Sequence, residues 1–163
     1  MNKISTLFLF LSLNLFGQVN NDSIRQIVLN NSVTDSLYIF GKWNNTGGTE
    51  IQLRYLGEIK GVNGNFKIMT SCWLWGLSKR ATNRILIFSE DKRYLGNYYI
   101  TTKSDLPEKI ENNQLVFSYS EGSDCDKKVM TKLSFGNGIP KQLLVECKNG
   151  YGNIYSFEKE KNE

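Results

Sequence analysis

The chain has 163 residues, of which 20 are lysine or arginine, 16 are aspartate or glutamate and none is histidine. The missing histidine excludes a Ser-His-Asp triad, a Cys-His pair and a histidine-ligated metal. Because the net charge of +4 is modest and spread along the chain, no nucleic-acid partner is predicted. The length and the 40% of apolar residues predict a single folded domain.

Residues 1–17 have the pattern of a secretory signal peptide. Lys3 supplies the positive charge, Leu7–Phe16 is a mostly apolar run, and Gly17 is a small residue before a plausible cleavage site. A buried first strand or helix is the alternative. The run is too short to span a membrane, and no second apolar run of membrane length follows. We therefore expect a secreted or periplasmic protein without a membrane span, cleaved near Gly17.

The next segment, residues 18–36, predicts at most one short helix. Over Asn20–Asn31 the apolar residues Ile24, Ile27 and Val28 share one face of a helix. The stretch that follows is rich in asparagine, serine and aspartate, which is typical of a turn.

From Leu37 onward apolar and polar residues alternate with a period of two, as in Glu50–Tyr55. This alternation predicts antiparallel strands with one buried and one wet face. The strands predicted after the first two are Asn65–Thr70, Arg84–Ser89, Arg93–Thr101, Gln114–Ser120, Lys128–Phe135, Gln142–Cys147 and Asn153–Glu158. About nine short strands joined by glycine-containing turns predict an all-β domain over residues 37–159, with a polar tail at 160–163. The fold is either a small antiparallel up-and-down β-barrel, which the meander favours, or a closed sandwich.

Three cysteines remain after the signal segment, namely Cys72, Cys125 and Cys147. In an exported protein one disulfide and one leftover thiol are expected. A tight hairpin around Gly136–Gly138 would bring Cys147 close to Cys125, so this pair is preferred and Cys72 would be free and buried. Three unpaired thiols are the alternative. No metal site is predicted, because scattered cysteines without histidine make a poor zinc site.

The tripeptide Gly41-Lys42-Trp43 on the first strong strand resembles the calycin group, which comprises lipocalins and avidins. The resemblance implies a lipocalin-like barrel in which Trp43 closes one end. The sequence continues to Thr49 in a way that is similar to avidins, where Asn45 and Thr49 would match residues that bind biotin. The avidin site also requires tryptophans from several later strands, and here only Trp73 and Trp75 follow Trp43, so biotin binding is not expected.

Aromatic residues on the predicted strands suggest a ligand site. Trp43, Tyr55, Trp73 and Trp75 would line or close the barrel mouth and hold a small apolar or aromatic ligand. Ordinary packing of these rings in a β core is the competing explanation.

A second hypothesis is a protein-binding module that inhibits or neutralises another exported protein. It would use exposed aromatic rings together with a basic rim formed by Lys79, Arg80, Arg84, Lys92 and Arg93. A solvated charged face is the simpler explanation of the same residues.

An enzyme is not predicted. The carboxylates occur as neighbours in loops, as in Glu108 and Glu111, whereas acid–base chemistry needs two carboxyls held at a set distance across a cleft. The sequence therefore predicts no catalytic residues and no cofactor.

Overall fold

The computed structural model of the chain describes residues 21–121 and 123–160. The predicted signal peptide at 1–17, the first predicted helix residue Asn20 and the end of the tail at 161–163 lie outside these ranges. The described residues form one helix, α1 (Asn21–Asn31), and ten strands: β1 (Leu37–Gly41), β2 (Glu50–Gly61), β3 (Gly64–Trp75), β4 (Arg80–Ser89), β5 (Tyr94–Ile100), β6 (Lys109–Glu111), β7 (Gln114–Phe117), β8 (Thr131–Ser134), β9 (Gln142–Lys148) and β10 (Tyr151–Lys159). None of the helical segments in these ranges has the length and apolarity that crossing a bilayer requires.

The strands form two antiparallel sheets. The larger has the order β1-β2-β3-β4-β5-β10-β9, and the smaller has the order β6-β7-β8. The chain leaves the large sheet after β5, builds the small sheet, and returns with β9 and β10 beside β5. As a result β1 and β9 remain separate edges, and the favoured up-and-down barrel is not formed. The structure confirms the all-β class and fits the sandwich alternative.

The face of the large sheet that packs on the small sheet is called the inner face. Its side chains interlock with those of β7 in one apolar cluster, which includes Ile68 and Ile85 from the large sheet and Leu115 and Phe117 from β7. All four are essentially inaccessible to solvent. The space between the two sheets is therefore filled by protein side chains.

The opposite face, called the helix face, is covered by α1. Ile24, Val28 and Leu29 pack against a second apolar cluster that contains Leu53 and Met69 from the sheet. The predicted short helix is confirmed. Of the three apolar residues predicted to share its buried face, Ile27 is exposed. Successive residues of a helix are rotated by about 100°, so Ile27 points away from the face that Ile24, Val28 and Leu29 bury.

A β-bulge in β2 decides which face several side chains reach. Tyr55 pairs with Met69 and Gly57 pairs with Ile68, so Leu56 is an extra residue in the ladder. Gly57 has a φ of +123°, which a residue with a side chain rarely adopts. Tyr55 consequently stays in the cluster below α1, whereas Leu56 joins the cluster between the sheets.

One disulfide joins Cys125 to Cys147, which is the pair preferred from the sequence. The backbone N–H of Asp126 also donates to the carbonyl oxygen of Cys147 at 2.9 Å. These two links hold the segment after β7 against β9. Cys72 on β3 is a buried free thiol.

Candidate functional site

One end of the large sheet extends beyond both α1 and the small sheet. This end is formed by the start of β2, the end of β3 and the start of β4. There the residues of β3 alternate between the faces, and the strand register assigns them. Thr70, Cys72 and Leu74 lie on the inner face, and Ser71, Trp73 and Trp75 lie on the helix face. Each face therefore presents its own surface beyond the apolar clusters.

On the helix face this end carries aromatic rings with cations beside them. Trp75 and Tyr99 are 39% and 47% exposed. The guanidinium carbon of Arg80 lies 5.6 Å from the centroid of the Trp75 ring, and that of Arg84 lies 5.9 Å from the centroid of the Tyr99 ring. The Trp75 Nε1 donates to Thr82 Oγ1 at 3.0 Å, which fixes the orientation of the ring.

A further ring and cation lie at the β3–β4 turn, at the same end of the sheet. Trp43 lies just after β1, and its Nε1 donates to the carbonyl oxygen of Gly76 at 2.9 Å. The ammonium of Lys79 lies 4.9 Å from the centroid of the Trp43 ring. We name these three ring–cation pairs at one end of the sheet the aromatic–basic patch; its members are Trp43, Trp75, Lys79, Arg80, Arg84 and Tyr99.

The three cations of the patch contact rings rather than carboxylates. Among the described residues, Lys79, Arg80 and Arg84 make no ion pair with an aspartate or glutamate. The pKa of Glu50 is lowered mainly by a hydrogen bond from Gln52 and next by one from the backbone N–H of Trp43. The charge of Lys79 makes a smaller contribution in the same direction. The patch therefore keeps a positive charge that no carboxylate within residues 21–121 and 123–160 neutralises through an ion pair.

The structure does not bring the four predicted ligand-binding residues together. Tyr55 is buried below α1, where burial raises its pKa, and Trp73 packs at the margin of the same cluster. Trp43 and Trp75 belong to the patch. The described strands do not close into a barrel, so these four side chains share no barrel mouth in the part of the chain that the structure describes. Their role in ligand binding stays a prediction.

The predicted basic rim is also divided. Lys79 and Arg80 lie at the first end of β4, whereas Lys92 and Arg93 follow its last residue. A strand of 10 residues separates these ends by about 33 Å. The Lys92 ammonium donates to Asn30 Oδ1 at 2.8 Å beside the end of α1, so only the first group contributes to the patch.

The inner face carries a polar cleft of about 750 Å³ at the same end of the sheet. Its floor contains Gln52, Arg54 and Cys72 from β2 and β3, and Lys103 and Glu108 stand on the wall opposite. The lining holds both positive and negative side chains. This arrangement suits a ligand or peptide that offers several polar groups.

Hydrogen bonds hold the charged groups of the cleft in place. Arg54 Nη2 donates to Asp35 Oδ1 at 3.0 Å, and Lys103 Nζ donates to Gln52 Oε1 at 3.1 Å. The hydroxyl of Ser118 donates to a carboxylate oxygen of Glu108. The protein's own side chains therefore hold the polar lining of the cleft in a defined arrangement.

The floor of the cleft contains a thiol. Burial raises the pKa of Cys72. Its cross-strand neighbour Asn83 is buried, and the Oδ1 atom of Asn83 has no hydrogen-bond partner among the described residues. Polar residues at these inner-face positions interrupt an otherwise apolar alternation, and that interruption is the one sequence signal that could have indicated the cleft.

A buried aspartate fastens the wall of the cleft. Asp105 ends the short 3-10 turn Lys103–Asp105 and is 2% exposed. Its carboxylate accepts hydrogen bonds from Asn153 Nδ2 at 2.8 Å, from the Tyr155 hydroxyl and, more weakly at 3.5 Å, from the Tyr119 hydroxyl. Burial raises the pKa of Tyr155 and raises that of Tyr119 to about 12. No sequence signal links these residues, because Asp105 precedes both Asn153 and Tyr155 by nearly a third of the chain.

The described residues contain no group of three or more cysteine, aspartate or glutamate side chains placed to hold a metal ion. They present an open patch with rings and cations, and a polar cleft.

No protein-family model matches the chain, and neither the curated proteins nor the solved structures gave a significant match. The resemblance of Gly41-Lys42-Trp43 to calycins therefore stays a prediction.

Proposed function

We propose that the protein is a binding module that docks its aromatic–basic patch onto an acidic segment of another exported protein. The observation that carries the proposal is the set of three cations held against aromatic rings at one end of the sheet, with no ion pair to a carboxylate in the part of the chain that the structure describes. Export itself rests on the pattern of residues 1–17.

The composition of the patch favours a protein partner. Tryptophan, tyrosine and arginine are the residues that most often dominate the binding energy of protein interfaces. Exposed Trp75 and Tyr99 supply apolar area that a partner can bury, and Arg80 and Arg84 beside them attract carboxylates. An acidic segment with one or two apolar residues complements both features.

The patch is also held in shape before binding. The indole N–H of Trp75 is tied to Thr82, and that of Trp43 is tied to the backbone of Gly76. Rings that are fixed in advance lose little conformational entropy on binding, which favours affinity.

The small-ligand hypothesis receives less support from the geometry. It required Trp43, Tyr55, Trp73 and Trp75 to share a cavity, whereas Tyr55 lies under α1 and the space between the sheets is filled. The exposure of Trp75 and Tyr99 is the specific feature that favours the protein-binding alternative.

A fluorescein-labelled peptide of alternating glutamate and tyrosine tests the proposal. We expect the protein to bind it with an affinity that falls as salt is added, because the attraction is partly electrostatic at an exposed surface. The double variant Trp75→Ala, Arg80→Ala should bind about tenfold or more weakly, as expected when central aromatic and arginine side chains are truncated.

The matched control removes one exposed ring and one exposed cation elsewhere. The double variant Lys127→Ala, Tyr151→Ala changes an ion-paired lysine and a tyrosine on β10, and it should bind the peptide as the unaltered protein does. Equal binding by the patch variant and the control variant would refute the proposal. Tighter binding of a heparin fragment than of the peptide would also refute it, since the patch would then recognise sulfated polysaccharide.

A further inference from the structure

The edge strand β1 is unusually open. It pairs with β2 on one side, and no described strand pairs with its other side. Leu37 and Ile39, which lie on the inner face of β1, are 57% and 55% exposed. An antiparallel edge strand directs the N–H and C=O groups of alternate residues away from the sheet, where they are available to another chain.

The other edge of the same sheet is protected. On β9 the carbonyl oxygen of Cys147 accepts from the N–H of Asp126, and the N–H of Glu146 donates to Thr131 Oγ1 at 3.0 Å. The disulfide to Cys125 holds this covering segment in place. Natural proteins also protect edges with lysine, proline or bulges, and Leu37–Gly41 has none of these.

We propose that β1 is a docking edge on which an extended peptide segment of another protein adds as an antiparallel strand. This second site is separate from the aromatic–basic patch and does not depend on it. Main-chain hydrogen bonds to β1 supply affinity, and side chains of the added strand supply specificity.

The polar cleft begins directly beside this edge. Leu37 lines the cleft and is the cross-strand neighbour of Arg54, whose guanidinium is paired with Asp35. Alternate side chains of an added strand lie next to Leu37 and Ile39 on the inner face. A long polar side chain at one of these positions reaches the mouth of the cleft, whereas apolar neighbours cover the exposed leucine and isoleucine.

A second copy of the chain fits the edge less well. β1 has 5 residues and therefore offers about 17 Å of strand for pairing. Strand pairing over this length falls short of the roughly 1,000 Å² that a stable dimer buries. A flexible peptide adds contacts along the cleft as well as along the strand, which a folded copy presenting its own β1 does not.

Peptides selected from a phage-displayed random library on the immobilised protein test the proposal. We expect the selected peptides to alternate apolar and polar residues and to protect the amides of Leu37–Gly41 from hydrogen exchange. Synthetic versions with N-methyl groups on alternate residues should lose about tenfold or more in affinity, because they cannot donate to the edge. This measurement uses the unaltered protein, so it does not depend on any variant folding.

Two matched variants locate the site. Leu37→Lys with Ile39→Lys places charges on the open edge and should weaken peptide binding about tenfold. Leu144→Lys on the opposite edge strand should leave binding unchanged, and so should the patch variant Trp75→Ala, Arg80→Ala. Protection that maps away from β1, full affinity of the double lysine variant, failure to select any peptide, or a dimer abolished by the same lysines would each overturn the proposal. Loss of patch binding with retained β1 binding, or the reverse, separates this proposal from the proposed function.

Discussion

The two faces of the large sheet differ most at the end that extends beyond α1 and the small sheet, although β3 contributes side chains to both faces there. Along the last six residues of β3, Thr70 and Cys72 point to the inner face and Trp73 and Trp75 point to the helix face. Thr70 and Cys72 have small side chains that line the cleft. Trp73 and Trp75 have large rings, and that of Trp75 is exposed.

The difference arises from the segments that pack on each face. On the inner face the segment around Lys103–Asp105, which hydrogen bonds of Asp105 hold in place, forms a wall, so polar groups lie between this wall and the sheet. The helix face is covered by a single helix of 11 residues, and the apolar cluster below this helix does not include Trp75 or Tyr99. Alternation within one strand thus produces a cleft on one side and an open patch on the other.

The largest expected effect comes from truncating a leucine under either cover. Leu29→Ala below α1 and Leu115→Ala between the sheets should each lower the free energy of unfolding by about 3 kcal/mol, because both side chains are fully buried. Leu77→Ala at the exposed β3–β4 turn is the control and should change it by less than about 0.5 kcal/mol. Urea unfolding followed by tryptophan fluorescence measures all three. A negligible effect of Leu29→Ala would show that α1 is not an integral cover.

A smaller effect is expected from weakening the fastening of the cleft wall. Asp105→Asn keeps the shape but leaves the hydroxyl of Tyr155 and the amide of Asn153 with a poorer acceptor. The free energy of unfolding should fall by about 2 kcal/mol. Asp126→Asn, an exposed aspartate that accepts from the N–H of Lys128, is the matched control. Hydrogen exchange should increase at Lys103–Asp105 and stay unchanged at α1; the opposite pattern would contradict the role of Asp105.

The smallest effect is expected from pH in the neutral range. In the described residues the pKa values of Glu50 and Glu111 are lowered, whereas those of Lys67, the Cys72 thiol and Tyr119 are raised. Each of these shifts moves the pKa further from pH 7. With no histidine, both stability and patch binding should be flat between about pH 5.5 and 7. A steep change of either within this range would contradict the expectation.

At high pH the ionisation of Tyr119, which packs between the sheets, should weaken the fold. Tyr119 has a folded pKa of about 12, above its ordinary value of 10.0, so its neutral form is favoured in the folded state. Its contribution to stability is complete below about pH 10 and is lost as the pH rises toward 12. Urea midpoints measured at rising pH should therefore fall above about pH 10 in the unaltered protein and less steeply in Tyr119→Phe. Equal slopes for the two proteins would refute this assignment.

Local patterns predicted much of the fold. The two-residue alternation around Ile51 and Leu53 identified strands with one buried face, since a side chain's direction in a strand follows directly from its position. The short helix and the preferred Cys125–Cys147 pair are also found. The three-residue strand β6 was missed, because so short a segment carries no measurable period.

The sites were less predictable. Trp43 and Trp75 were singled out as aromatic, but their place in an open patch depends on where α1 ends and on hydrogen bonds to Gly76 and Thr82. The buried contacts of Asp105 join residues that the sequence gives no reason to pair.

By itself the sequence determined the absence of histidine chemistry, the strand periodicity and the supply of rings and cations. Those properties depend only on residue type and on spacing along the chain. The tertiary structure alone decided that the described strands form an open sheet with β1 at one edge, and that one end of this sheet bears a polar cleft on one face and exposed rings on the other. The closure of a sheet, the pairing of its edge strands and the packing on its faces all depend on contacts between segments that are distant in sequence. The same alternation along the strands is compatible with either a barrel or a sandwich.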